Sequence, residues 1–137
     1  MKKLLFLLLL LPGIGYGQTI FSIHFHNSFE IGDSIETIEF DLAGEMQIES
    51  WAGNTILIET KVKSEEASDR LLKFLKDKGR YDIISEKNNS TLVVRTKNNN
   101  QRGIITKSGD ELLENITHTI FLPENFVKVE DNRYRKQ

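Results

Sequence analysis

Residues 45–63 read EMQIESWAGNTILIETKVK and contain the only tryptophan of the chain, Trp51. On both sides of the corner at 51–54 (WAGN), apolar and polar residues alternate with a period of two, which is typical of half-buried β-strands. Glycine and asparagine tolerate positive φ and favour tight turns. The stretch therefore predicts two strands joined as a hairpin, with positive φ at the glycine or asparagine and the Trp51 ring closed over Ile48 and Ile56.

The same short alternation recurs along most of the chain, so the sequence predicts a mainly β protein built from short-stranded sheets. The polar tail at 131–137 (DNRYRKQ) carries too few apolar residues for this pattern and is expected to fray. The predicted strands lie at 19–26, 35–42, 46–50, 55–63, 81–86, 91–96, 104–106, 115–122 and 126–130.

One segment changes period, which predicts a single helix covering the sheets at about 64–78 (SEEASDRLLKFLKDK). Ser64 is the expected N-cap, and Gly79 is the expected C-terminal stop. Its apolar residues recur at three-to-four spacing and form the predicted buried stripe, with Leu72 beside it: Ala67, Leu71, Phe74 and Leu75.

The first residues, MKKLLFLLLLLPGIGYGQ, have the pattern of a secretory signal peptide, with two lysines, an apolar run at 4–11 and small residues before Gln18. The apolar run is shorter than the roughly 20 residues that cross a membrane. We therefore predict cleavage after residue 17, leaving a single β-rich domain at 18–137 without membrane insertion. This domain is expected in the periplasm or outside the cell, either free or associated with the cell surface.

Composition excludes several functions. The 137 residues include 18 basic and 20 acidic side chains, and removal of Lys2 and Lys3 changes the net charge from −2 to −4. This balance gives no electrostatic reason to expect a nucleic-acid partner. The chain has no cysteine, which excludes disulfides, cysteine-ligated metals and thiol nucleophiles.

No catalytic or cofactor motif is present, so we predict a non-enzymatic protein. His24 and His26 are two residues apart on a predicted strand and share one face, where a third ligand from Glu30 or Glu36 could complete a metal site. That face is otherwise polar and solvated, so no metal site is predicted. His118 is in phase with buried apolar residues, which predicts a hydrogen-bonded histidine inside the sheet.

The order of elements resembles that of a family of exported bacterial adhesin-like proteins, the group that includes the auto-transporter adhesin head GIN domain. The resemblance covers about 35–129 and implies a β-solenoid with a binding function. The chain corresponds to a short version, a truncated β-solenoid, because the later coils of the family do not follow Pro123. The resemblance to the family rests on the corner at 51–54 and on the helix and hairpin that follow it. The residues that match the family pattern are Ile48, Trp51, Gly53, Asn54, Ile56, Ile58, Ile120, Phe121, Leu122 and Pro123.

The leading hypothesis is an exported, non-enzymatic binding domain with an unknown protein or cell-envelope partner. Its last predicted strand should keep one unpaired side, which permits strand addition or self-association. One alternative is a periplasmic small-ligand or metal-binding module that uses His24 and His26, and another is a truncated copy of a longer adhesin-like protein. The partner-binding candidates are Phe126, Val127 and Val129, together with Trp51 as an exposed platform for a glycan or a partner.

Overall fold

The computed structural model describes residues 20–98, 103–105, 109 and 111–137. The described residues form nine strands in two mixed sheets with one helix, which confirms the predicted mainly β class. Five of the seven strand pairs are antiparallel, whereas the coils of a solenoid stack as parallel strands. Of the two predicted architectures, the described residues therefore adopt the short-stranded sheets and not the truncated β-solenoid. The predicted signal peptide lies outside the described residues.

Sheet A contains four strands and sheet B contains five. In sheet A, β1 (Phe21–Glu30), β3 (Glu45–Trp51), β4 (Thr55–Ser64) and β7 (Asn115–Pro123) lie in the order β1-β4-β7-β3. In sheet B, β2 (Thr37–Asp41), β5 (Ile83–Asn88), β6 (Thr91–Thr96), β8 (Phe126–Glu130) and β9 (Arg133–Lys136) lie in the order β5-β6-β2-β9-β8. The predicted strand at 104–106 is reduced in the described residues to a bridge between Ile105 and Glu111.

The hairpin prediction for the tryptophan corner is wrong, because β3 and β4 do not pair with each other. β7 lies between them, parallel to β3 and antiparallel to β4. The three residues at 52–54 therefore cross the end of β7, where Trp51 is level with Pro123. Two alternating runs around a short turn look the same in sequence whether they pair directly or flank a third strand.

The inner face of sheet A is covered by two different elements. One half packs against sheet B, around Ile58 and Ile120, whose side chains are fully buried. The other half packs against the helix α1 (Asp69–Asp77) and against Leu112, with Val62 and Leu72 fully buried between them. Two hydrophobic clusters therefore share one sheet.

The helix is shorter than predicted, because it begins after Ser68 instead of Ser64. The Ser68 hydroxyl accepts a hydrogen bond from the Leu71 amide, whereas Ser64 ends β4 and its hydroxyl accepts from the amides of Glu66 and Ala67. Gly79, with φ +84°, stops the helix as predicted. Among the described residues, no helix is long and apolar enough to span a membrane.

The predicted apolar stripe of the helix is only partly correct. Leu72 and Leu75 are buried and Leu71 is half-buried, but Phe74 is 53% exposed. The Lys78 ammonium lies 5.6 Å from the Phe74 ring centroid, outside the core. A helix that lies on a sheet buries a narrower stripe than its apolar residues alone indicate.

The tail does not fray as predicted, because it forms β9 between β2 and β8. The turn before it places Asn132 at φ +60°. The Tyr134 ring packs edge-on against Phe40, with 5.9 Å between the ring centroids. Tyr134 is the one apolar residue of this strand, so the sequence shows no alternation here.

The hairpin between β5 and β6 is confirmed, with Asn89 at φ +55° in its turn. The turn is shorter than the predicted loop at 87–90, because β5 continues to Asn88 and β6 begins at Thr91. Asparagine is the residue that accepts this backbone conformation at least cost after glycine.

A buried polar pair interrupts the inner face of sheet A. Thr60 and His118 lie opposite each other on β4 and β7, and both are buried. The Ala43 carbonyl, 2.8 Å from Nε2, can only accept, so Nε2 carries the proton, and Nδ1 accepts from the Thr60 hydroxyl at 2.9 Å. The predicted hydrogen-bonded histidine is confirmed, and its neutral form is the one that fits.

Burial lowers the pKa of His118 below its ordinary value of 6.5, against an opposing effect of the Ala43 hydrogen bond. The unfolded chain therefore takes up this proton first as the pH falls. The contribution of His118 to the free energy of unfolding is fully present above pH 6.5 and is lost below it. Each pH unit then costs at most about 1.4 kcal/mol for one proton.

Urea denaturation of the wild-type protein and of His118→Gln, between roughly pH 7.5 and pH 5, tests this expectation. The wild-type free energy of unfolding should fall more steeply with decreasing pH than that of the variant. Because the slope is compared, a uniform destabilisation of the variant does not affect the result. Equal slopes for the two proteins would contradict it.

Candidate functional site

The outer face of sheet A is the side that points away from both hydrophobic clusters. Its strands alternate, so every second residue belongs to it, and the cross-strand register arranges these residues in rows. Most of them are polar and exposed or half-buried. The face includes Ser22, His24, His26, Ser28 and Glu30 on β1, Thr55, Leu57, Glu59, Lys61 and Lys63 on β4, Asn115, Thr117, Thr119 and Phe121 on β7, and Glu45, Gln47, Glu49 and Trp51 on β3.

The two histidines of β1 lie on this face, as predicted, but the proposed third ligands do not join them. Glu30 shares the face but lies four residues beyond His26, level with Thr55 at the end of β1. His26 Nε2 is 3.4 Å from Glu59 Oε1, whereas His24 is level with Lys61. Glu36 lies directly before β2 of sheet B, where its backbone carbonyl accepts from the Lys136 amide. The described residues contain no group of three potential metal-binding side chains.

The indole of Trp51 lies on the outer face and not over Ile48 and Ile56, which point inward. Its Nε1 donates to the Thr55 carbonyl at 2.9 Å, and its ring packs against Phe121 with 6.0 Å between the centroids. Trp51 therefore combines the two roles considered from the sequence. Its half-buried ring helps to close the corner, and it also lies on a solvent-facing surface.

The corner needs its glycine for a different reason from the one predicted. Of the described residues, neither Gly53 nor Asn54 has positive φ. Instead the indole of Trp51 lies directly on the Gly53 backbone, where a Cβ atom would overlap the ring atoms Cζ2 and Cε2. Glycine is required here by close packing and not by its backbone freedom.

Lys61 and Lys63 are neighbours on the outer face, and the interaction of their ammonium groups lowers the pKa of Lys61. The first cause is the side-chain contact with Lys63, and the second is the repulsion between their charges. Among the described residues, neither ammonium group lies within ion-pair distance of a carboxylate. Two like charges therefore lie side by side on this surface.

A cavity of about 190 Å³ lies between the end of the helix and β7. The buried Glu114 carboxylate accepts from Arg80 Nε at 2.8 Å and from the Tyr81 hydroxyl at 3.0 Å. Burial, followed by the charge of Glu114, raises the pKa of Tyr81 above its ordinary range. The cavity is lined by Ala43, Arg80, Tyr81, Thr96, Asn98, Glu114, Ile116 and His118.

The polar groups around this cavity bond to one another, so we interpret them as structural. Both ring nitrogens of His118 are engaged, and the Thr96 hydroxyl accepts from the Ala43 amide at 2.9 Å. The Arg80–Glu114 pair fastens the chain after the helix to the chain before β7. Sequence reasoning missed this pair, because no local motif connects two charges that lie 34 residues apart.

The last sequence-predicted candidates lie on β8, at one end of sheet B. Phe126 is buried in the core, whereas Val127 and Val129 are 38% and 46% exposed. In the described part of the chain, β9 is the one strand that pairs with β8. The structure thus separates the four partner-binding candidates between two surfaces, with Trp51 on sheet A and the valines on sheet B.

Comparison with known protein families, with characterised proteins and with solved structures finds no match to this chain. The adhesin resemblance, the predicted export and the predicted binding function therefore stay predictions.

The packing of Trp51 on Gly53 predicts that Gly53→Ala destabilises the protein by about 1–3 kcal/mol, because the added methyl group overlaps the indole. Gly32→Ala is the matched control, since a Cβ atom there meets no other atom within 4 Å. In a Trp51→Leu background, the cost of Gly53→Ala should largely disappear.

Urea denaturation of the single and double variants measures this coupling in a double-mutant cycle. The emission of the only tryptophan reports separately whether the ring has moved. If Gly53→Ala lowers the free energy of unfolding equally with and without the indole, the Trp51 ring is not the reason why glycine is required at position 53.

Proposed function

We propose that this chain is an exported, non-enzymatic binding domain of adhesin-like type that takes up a strand from another polypeptide at β8. The observation that carries the proposal is the position of β8 at the end of sheet B, with two exposed valines on it. An edge strand presents backbone donors and acceptors that another strand can pair with. A second copy of this chain is the simplest donor of that strand, because two β8 strands can meet in a closed, two-fold dimer.

The protection of this edge is weak. Natural proteins shield edge strands with lysine, proline or bulges. The segment 126–130 has one lysine, Lys128, and no proline, and its β-branched Val127 and Val129 favour the extended conformation. A register shift between Lys128 and Glu130 distorts only the far end of the strand. The regular part of the edge, 126–128, is therefore the segment best suited to pairing.

The hydrogen bonds of the neighbouring strand indicate which backbone groups point outward. The Gln137 amide donates to the Asn125 carbonyl at 2.8 Å, so Asn125 faces β9. In an antiparallel ladder, residues alternate between facing their partner strand and facing away from it. Val127 therefore also bonds toward β9, whereas the amides and carbonyls of Phe126 and Lys128 point toward the open side.

The other end of sheet B is better protected. Its edge strand, β5, carries an ion pair between Glu86 and Arg95 of β6, with 2.7 Å between Oε1 and Nη2. Lys87 follows on the same strand, and its ammonium donates to the Ser34 hydroxyl at 2.6 Å. Ordered charged side chains of this kind hinder the approach of a further strand. The contrast between the two edges favours β8.

Lys128→Pro tests the proposal, because it removes an outward-facing amide and leaves the ladder to β9 intact. Lys128→Ala is the matched control, since both variants lose the lysine side chain and its 3.3 Å contact with Asp131. Sedimentation velocity over a concentration series should show reversible dimers for the wild type and for Lys128→Ala, and monomers for Lys128→Pro. Thermal denaturation should give similar midpoints for all three proteins.

Two results would overturn this function. The first is that the wild-type protein stays monomeric at every concentration and that a pull-down with it from a cell-envelope extract recovers no other protein. The other is a Lys128→Pro variant that associates as strongly as the wild type. Val127→Pro is unsuitable for this test, because it removes an amide that bonds to β9 and would destabilise the fold itself.

A further inference from the structure

The charge on the outer face of sheet A changes along its strands. Both lysines of the face, Lys61 and Lys63, lie at one end of it, level with Thr117 and Asn115 of β7. The opposite end carries three carboxylates and no lysine or arginine, and we call it the acidic end. It consists of Glu30 on β1, Leu57 and Glu59 on β4, Phe121 on β7, and Glu49 and Trp51 on β3.

An apolar surface lies between the carboxylates of the acidic end. Phe121 is level with Leu57 on one side and with Glu49 on the other. Glu59 follows Leu57 on the same face of β4, two residues further along the strand. The Phe121 ring packs against Trp51, with 6.0 Å between the ring centroids. A group that lies over Phe121 would therefore have an aromatic surface beneath it and a carboxylate on either side.

These carboxylates are open to a cationic ligand. No lysine or arginine of the described residues lies within ion-pair distance of Glu30, Glu49 or Glu59. His26 Nε2 is 3.4 Å from Glu59 Oε1, but both side chains are about half exposed, and contacts of this kind contribute little. Gln47 Nε2 donates to Glu49 Oε1 at 3.3 Å and brings no charge. The acidic end therefore presents negative charge that the described part of the chain leaves unneutralised.

The Trp51 ring is held in place without a ligand. Its Nε1 donates to the Thr55 carbonyl, and the ring lies on the Gly53 backbone. A side chain that is already ordered loses little conformational entropy when a ligand packs on it. The faces of aromatic rings also attract cations. Charge and aromatic surface at the acidic end therefore favour the same class of ligand, a cation.

Of the cations found in proteins, arginine fits this end best. A guanidinium group is planar, so it can stack on an aromatic ring while its edge forms paired hydrogen bonds with a carboxylate. A lysine ammonium is a compact, strongly hydrated charge that lacks a flat surface for stacking. The hydroxyl of Thr119, which is level with Glu59, can accept a further hydrogen bond from a guanidinium.

We propose that the acidic end binds arginine side chains of a partner polypeptide. Carboxylates on both sides of Phe121 suit a segment with two arginines, one for Glu49 and one for Glu59. Lys61 and Lys63 repel further basic residues, which confines the basic part of the segment to this end. The inference goes beyond the proposed function, because the acidic end belongs to sheet A and strand addition uses the edge of sheet B.

Calorimetric titration with the peptide acetyl-Gly-Arg-Gly-Arg-Gly-amide tests the inference. The control peptide has citrulline, which is uncharged and similar in shape, in place of both arginines. The wild type should bind the arginine peptide and not the citrulline peptide, and Glu49→Gln/Glu59→Gln should lose about tenfold or more in affinity. The matched control, Glu36→Gln/Glu130→Gln, makes the same charge change at exposed positions outside sheet A and should bind like the wild type.

Two further measurements separate the aromatic contribution and the second surface. Trp51→Leu keeps every carboxylate and should weaken binding of the arginine peptide by about threefold or more, because the cation–π contact is lost. A peptide with lysine in place of both arginines should bind the wild type more weakly than the arginine peptide. Lys128→Pro should bind the arginine peptide like the wild type, so this test and that of β8 can fail separately.

Several outcomes would overturn the inference. The absence of binding between the wild type and the arginine peptide would do so, as would equal losses in the two double variants, since the effect would then be one of net charge. Equal affinities for the lysine and arginine peptides would remove the assignment to arginine. Spermidine that binds as tightly as the arginine peptide would assign the acidic end to small cations. Because the four substituted glutamates are exposed, circular dichroism should show the same fold in both double variants.

Discussion

The insertion of β7 between β3 and β4 is the constraint on which the rest of the structure depends. Its backbone bonds to both neighbours, and Ile120 is level with Ile48 on one side and Ile58 on the other. This row fixes which residues face the core. It thereby places Trp51 beside Phe121 on the outer face, and it sets His118 opposite Thr60 between the two hydrophobic clusters. A protein without disulfides relies on this shared core.

The same insertion leaves the two sheets with different open surfaces. Sheet A turns one face to the core and leaves its other face open, with Leu57, Glu59, Lys61 and Lys63 in order along β4. Sheet B instead ends in β8, whose outward amides belong to Phe126 and Lys128. The open edge of sheet B suits a strand that pairs with backbone.

Much of the local structure could be predicted from the sequence, because alternation decides which residues share a face. This reasoning placed His24 and His26 on a solvated surface and His118 inside the sheet. It failed where the decisive contact is distant in sequence. The WAGN corner resembles a hairpin turn because nothing local announces that β7 will separate its strands. Likewise, the tail becomes a strand by pairing with β2 and β8, and Arg80 meets Glu114 across 34 residues of chain.

Engineered cysteines test the position of β7 most directly, since the chain has no cysteine of its own. Gln47 is level with Thr119 on β7, and Glu59 is level with Thr119 from the other side. The Gln47→Cys/Thr119→Cys variant should form a disulfide on mild oxidation. The Gln47→Cys/Glu59→Cys variant should not, because two strand spacings, roughly 9.6 Å, exceed the reach of a disulfide. A disulfide in the second variant and none in the first would mean that β3 and β4 form a hairpin, and would contradict this account.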